Sequence, residues 1–267
     1  MIRPILDEEI KQVIFSIGDD KAPGSDGFSA LFFKRAWKVI GNDVLLAIHN
    51  FFYTGRLAKE INHTLLCLIP KVPNATRVSD FRPISCCSVI YKTISKVISE
   101  RMKPYLNQLV GPAQSAFIPG RRISDNIMMA HELVAGYQKD MGQPRCAFKI
   151  DIRKAYDTVD WGFLIYMLQC LGFHHILCKW INEMFNTSSF ALAINGGTAG
   201  FFKGARGLRQ GDPISPYLFT IIMEGFSLLL QHCIDDASDF QYHQGCDTMR
   251  ITHLFFLMIC LCSLGVI

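Results

Sequence analysis

The chain has 267 residues, 50% hydrophobic and 19% charged, with a formal net charge of +4. That is enough for one large domain or two subdomains around a sizeable core. The mild basic excess permits nucleic-acid binding without establishing it. No charge block, low-complexity tract or internal repeat stands out. The opening stretch from Met1 to Glu9 has no apolar signal core, which argues against secretion. Ten cysteines show no C-x-x-C spacing, which argues against a zinc framework. They read as reduced, mostly buried thiols of an intracellular protein, nuclear or cytoplasmic.

Residues 5–17 read as a short amphipathic helix ending near Gly18. Asp19 to Phe28 is rich in turn formers and reads as a loop. Its Asp19-Asp20 pair is a solvated turn rather than a metal pair, because no apolar strand leads into it. Residues 29–55 have a helical period, with Leu31, Trp37, Ile48, Phe51 and Phe52 on the apolar face. Leu65 to Lys71 reads as a strand, followed by a turn at Pro73-Asn74 and a second short element from Phe81 to Ser85. Together they present Lys71 and Arg82 on one face. Two cations there, one a planar guanidinium fork, suit the oxygens of a triphosphate. A helix from Tyr91 to Leu106 carries Lys92, Lys96, Arg101 and Lys103, either a solvated face or a rail for phosphates. Gln114 to Asn126 is a basic loop opening a helix that Ser124 or Asp125 caps. That helix is expected to run through Ile127, Leu133 and Tyr137 to a turn at Gly142.

Two later segments carry the most chemistry. In Phe148-Lys-Ile-Asp151 the alternation puts Phe148 and Ile150 on one face and Lys149 and Asp151 on the other. Asp151 then ends a strand at a cleft. Hard divalent ions want carboxylates on rigid elements. Two such ions about 4 Å apart can clamp the attacking and leaving oxygens of phosphoryl transfer. Tyr156 is placed to pack beneath a sugar. Helices over 162–171 and 174–186 and a hairpin from Phe190 follow. Then a basic, glycine-containing turn, Gly204 to Pro213 with Arg209-Gln210-Gly211-Asp212 at its heart, feeds an apolar helix from about Pro216 to His232.

The two segments resemble motifs A and B of the reverse transcriptases of non-LTR (LINE-type) retrotransposons, of the plant type. K-A-P-G-x-D-G in the first loop, Arg-Pro-Ile-Ser after Phe81 and Q-x-x-F-x-x-G-R-x-x-x-D-N from Gln114 fit the same pattern. The resemblance runs from about Ile10 to Phe256. It implies an α+β, right-hand fingers-palm fold that interleaves fingers (about 18–125) and palm (about 126–256), with the thumb absent and the palm incomplete. It implies an RNA-directed DNA polymerase that uses Mg²⁺ or Mn²⁺, an RNA template, a DNA primer and deoxynucleotides, with no small-molecule cofactor. By resemblance, Asp151 and the backbone of Ile152 hold metal. Lys71, Arg82, Tyr156, Gln210 and Gly211 meet the nucleotide, with Tyr156 as the gate against a 2′-hydroxyl. Arg121, Arg122 and Arg209 contact nucleic acid.

One departure decides the expected activity. The family needs F/Y-A-D-D soon after motif B, and Ile251 to Phe256 is the usual approach to it. Here Leu257 to Ile267 follows with no carboxylate. With one base restored before Leu257 and ordinary codons, residues 255–267 become F-F-A-D-D-L-F-V-F-S-W-G-D. The expectation is therefore a single-base deletion, an aberrant out-of-frame tail over 257–267, and an inactive fragment. The alternatives are a non-catalytic nucleic-acid-binding remnant and, less favoured, a tail-anchored membrane protein. The apolar run over 254–267 is shorter than the roughly 20 residues a membrane span needs.

Overall fold

The computed structural model describes residues 1–135, 145–238, 240–242, 246, 248, 250–255 and 259–263, with Arg145 and residues 259–263 described in backbone only. Helices and strands are mixed, in the order α1 (Asp7–Phe15), α2 (Ala30–Arg35), α3 (Trp37–Thr54), β1 (His63–Pro70), β2 (Phe81–Cys86), α4 (Val89–Leu109), α5 (Ile123–Val134) and β3 (Arg145–Lys149). There follow α6 (Trp161–Cys170), α7 (His175–Asn186), β4 (Ser189–Ile194), β5 (Gly197–Lys203), α8 (Ser215–Asp236), β6 (His253–Leu254) and β7 (Ile259–Ser263). The chain forms two compact units, Met1–Met102 with Tyr156–Ser215, and Lys103–Ala155 with Pro216–Ile267.

In the first unit, Asp7, Glu8 and Glu9 fill the first turn of α1, where negative charge meets the positive end of the helix. The single helix expected over 29–55 is two, broken at Ala36. The break sets Trp37 edge-on to Phe15, with ring centroids 5.7 Å apart. Gly55, at φ 67°, closes α3 in the left-handed conformation that glycine adopts without a Cβ penalty. A four-stranded sheet runs in the order β2-β1-β4-β5. β1 pairs antiparallel with β2 and parallel with β4. Asn195 and Gly196, both at positive φ, make the two-residue turn of the β4–β5 hairpin. α6 opens on Asp160, whose carboxylate accepts from the Phe163 N–H at 2.7 Å. Ile10, Ile14, Ile48, Phe51, Tyr91, Ile94, Leu164, Leu168 and Phe185 are among the fully buried side chains.

The second unit holds a three-stranded sheet in the order β3-β7-β6. β7, drawn from the tail expected to be aberrant, is its central strand. It pairs antiparallel with β3 from Arg145↔Ser263 to Lys149↔Ile259, and with β6 at His253↔Cys260. Met223 and Phe255 form a buried cluster with Ala113, Phe219 and Phe226 against it. α5 begins after Arg122 with no side-chain cap, so neither Ser124 nor Asp125 serves as one. Both lie inside the first turn instead. The expected continuation through Tyr137 to Gly142 lies outside the described residues. α8 is long and apolar enough to cross a membrane by length and composition. Its Leu218 and Ile221 are fully buried within the fold, however, and its Glu224 accepts from the Gly111 N–H at 3.0 Å.

Candidate nucleotide and nucleic-acid site

The first unit carries Lys71, Arg82, Tyr156, Arg209, Gln210 and Gly211; the second carries Arg121, Arg122, Asp151 and Ile152. In the β1–β2 ladder Arg82 stands opposite Ile69, and the Lys71 N–H donates to the Asp80 carbonyl at 2.7 Å. Residues 69 and 71 share a face, so both cations lie on it. Both are exposed. Lys71 Nζ also donates to the Ser79 carbonyl at 2.9 Å. Below the hairpin, hydrogen bonds from the Thr76 and Arg77 N–H groups reach the Asp80 carboxylate. That of Arg77 contributes most to holding it below the ordinary carboxylate range.

The Gly204–Ser215 loop is fixed from two sides. The Ser85 N–H donates to the Gln210 carbonyl at 2.8 Å. Gly211, at φ 106°, passes so close that a Cβ would lie 3.2 Å from the Ser85 carbonyl oxygen, so glycine is required there twice over. The Leu208 N–H donates to the Tyr156 carbonyl at 2.8 Å, the Gly207 N–H to that of Val159 at 2.7 Å, and the Trp161 indole to that of Gly207 at 2.8 Å. Tyr156 is half-buried, and burial pushes its hydroxyl pKa up. Beside this loop lies a cavity of about 260 Å³, lined by Leu66, Pro83, Phe190 and Phe202 and by the polar Ser85, Asp157, Arg206 and Gln210 among others.

Arg209 was expected at a nucleic-acid surface and is instead 4% exposed. Its guanidinium carbon lies 4.4 Å from the Tyr91 ring centroid, and its Nη2 donates to Asn62 Oδ1 at 2.6 Å. The Tyr91 hydroxyl donates to Asp212 Oδ2 at 2.7 Å, and Ser95 and the Ile214 N–H also donate to that carboxylate. Arg209 over the ring and Asp212 at the hydroxyl thus place opposite charges against one buried tyrosine, whose hydroxyl burial pushes well above its ordinary pKa. Among the described residues, Nε and Nη1 of Arg209 have no nitrogen or oxygen hydrogen-bond partner. The arginine braces the loop from inside rather than lying on the surface.

Arg121 is likewise held by the chain itself. Its Nε donates to Asn107 Oδ1, and its Nη atoms donate to the carbonyls of Asn107, Val110, Gly111 and Gln114, at 2.5–3.3 Å. A guanidinium has five N–H groups, and all five are taken by the chain leaving α4. Arg122 is exposed. Asn126, buried, donates to the carbonyls of Ala113 and Phe255, each at 2.9 Å, and so ties this loop to the residue that follows β6. His253, also buried, hydrogen-bonds Ser227 and Thr252, and burial lowers its pKa. Asp212, Tyr91, Ser95, Asn62 and Asn126 were not foreseen as a set. Helical period marks Tyr91 and Ser95 as ordinary positions, and only folding brings them to Asp212.

Asp151 is exposed two residues past the end of β3, and Ile152 is exposed beside it. Among the described residues no group of three or more His, Cys, Asp or Glu stands close enough to hold a metal ion. In sequence no acidic side chain follows Asp247.

The family model described as reverse transcriptase (RNA-dependent DNA polymerase) matches residues 69–256, well over half of the chain. The chain belongs to the reverse transcriptase family. It is 31% identical over 228 residues, 85% of its length, to the uncharacterized 149 kDa protein of transposon TX1 from Xenopus laevis. It is 27% identical, over 76% of its length, to the Pol polyprotein of the type-2 retrotransposable element R2DM from Drosophila melanogaster. The chain spans 17% and 19% of those two relatives. A Cas6-RT-Cas1–Cas2 structure superposes over 98% of this chain and 37% of its own, with a TM-score of 0.48 and 17% identity. Reverse transcriptases bind template and primer and work with Mg²⁺ or Mn²⁺. Among the described residues the donors do not fit that metal pair. Two hard ions need several oxygen ligands each, and Asp151 is the lone carboxylate at its strand end.

Proposed function

We propose that this chain is the fingers-palm portion of the reverse transcriptase of a non-LTR retrotransposon of the plant type. On this reading it is an intracellular nucleic-acid-binding domain that no longer polymerises. One observation carries the reading: the family pattern runs to Phe256, where F/Y-A-D-D is due, and Leu257-Met258 follows with no acidic side chain over residues 257–267. A single-base deletion at that point accounts for the tail. The loss removes the electrostatic stabilisation on which phosphoryl transfer depends. What persists is binding. Lys71 and Arg82 approach the triphosphate, Tyr156 lies under the sugar, Gln210 and Gly211 flank the incoming nucleotide, and Arg122 meets the template backbone.

The test is primer extension on a primed RNA template with deoxynucleotides and Mg²⁺ or Mn²⁺. The 267-residue chain should bind in a salt-sensitive way and extend nothing. A frame-restored chain carrying a thumb should extend, and Asp151→Asn in it should abolish extension with the fold intact. Extension by the chain as it stands would sink the proposal. Failure of the restored chain would sink the deletion account.

A further inference from the structure

Phe117 is an aromatic residue in a backbone conformation that aromatics avoid. Its φ is 61°, in the left-handed region that glycine and asparagine enter freely and a bulky side chain does not. A conformation of that kind persists where the surroundings over-determine it, and it clusters at sites of function. The first condition can be read from the loop. Before Phe117, the Ala116 N–H donates to Gln114 Oε1 at 2.9 Å, and the Ser115 hydroxyl donates to Asn126 Oδ1 at 2.8 Å. After it, Asn107 Nδ2 donates to the Pro119 carbonyl at 2.9 Å. Around it, the five N–H groups of Arg121 hold the chain from Asn107 to Gln114.

The residue remains more than half exposed despite this effort. Phe117 is 54% exposed, whereas its neighbours Gln114, Ser115 and Ile118 are buried. A Cβ built on Gly120 would meet nothing within 4 Å, so the space beside the loop is open. Arg122, at the end of the same loop, is exposed. An exposed ring five residues before an exposed arginine on one loop is a combination that can stack an unpaired base and hold a phosphate of the same strand. A duplex hides its base faces and offers such a ring nothing to stack on.

We infer that Phe117 is a stacking platform for an unpaired base of single-stranded RNA, with Arg122 on the adjoining phosphate. The assignment rests on the nucleic-acid reading proposed above. Anisotropy of end-labelled oligouridine, beside an RNA duplex of equal length, tests it on the whole chain. Phe117→Asn suits the left-handed backbone and removes the ring. Phe117→Leu keeps apolar volume and removes the π-face. Both should weaken single-strand binding about tenfold without lowering Tm, and duplex binding should change far less. Phe117→Trp should bind as the parent does. Unchanged single-strand affinity in the Asn and Leu variants overturns the assignment and leaves the ring to a protein partner. So does a loss that appears only where Tm has fallen, or one that is equal on duplex and single strand. If the parent chain binds neither RNA, the nucleic-acid reading itself falls, and this assignment with it.

Discussion

Arg101 and Arg121 each spend a whole guanidinium on the chain's own oxygens. Arg101 takes the Glu9 carboxylate with Nε and Nη2, at 2.7 and 2.6 Å, and the carbonyls of Met1, Arg3 and Pro4 with the rest. Hydrogen bonding from Arg101 is the chief cause that holds the Glu9 carboxyl below its ordinary value of 4.5. The unfolded chain therefore takes up that proton more readily than the folded one. The stability this pair contributes is present in full above pH 4.5 and is lost as pH falls from there toward the lowered folded value. Glu9→Gln should accordingly be less stable than the parent near neutrality, and the difference should shrink as the medium is acidified. Urea midpoints between about pH 3 and pH 7 measure it; a constant difference would remove Glu9 from the acid response. Nothing in the sequence separates these two arginines from Arg82 or Arg122. All are cations near turn or helix residues, and a carbonyl has no sequence signature.

Among elements, the first loop shows how little room a motif glycine has. Gly24 lies against the start of α4, where a Cβ would come within 2.7 Å of Ser88 Cα and 2.8 Å of the Cys87 carbonyl carbon. Those are backbone atoms and cannot turn aside. Lys92 Nζ fastens the same loop through the Ala22 carbonyl at 2.6 Å. Gly24→Ala should cost about 1–3 kcal/mol by overpacking, read as a lower chemical midpoint at unchanged slope; no shift would mean the loop lifts off freely. The elements themselves were largely legible. Period and turn formers gave β1, β2, α4, α6, α7, the β4–β5 hairpin and α8 within a few residues. Ala36 was not legible as a break, because alanine favours helix and the interruption serves the Trp37–Phe15 contact.

For the molecule as a whole, the tail poses the sharpest question. An apolar strand formed from residues 259–263 satisfies backbone partners on both sides, and a strand ladder asks for β-propensity more than for particular side chains. Ile, Cys and Leu meet that demand even though they bring no carboxylate. Deleting residues 259–267 would leave β3 without its partner. Hydrogen exchange at Cys146–Lys149 should then quicken by about tenfold or more, and unchanged protection would make the tail a passenger.

The sequence by itself determined the family, most of the order of elements and the absence of any carboxylate over residues 257–267, because each depends on residue types along the chain. Tertiary structure decided which cations are free. Arg209 and Arg121 sit in the motifs that suggested nucleic acid, yet one is buried against Tyr91 and the other has no N–H to spare. It also set Phe117 in a strained turn with its ring in solvent. Burial and hydrogen-bond saturation are properties of neighbours brought together from distant parts of the chain, and spacing along the chain does not encode them.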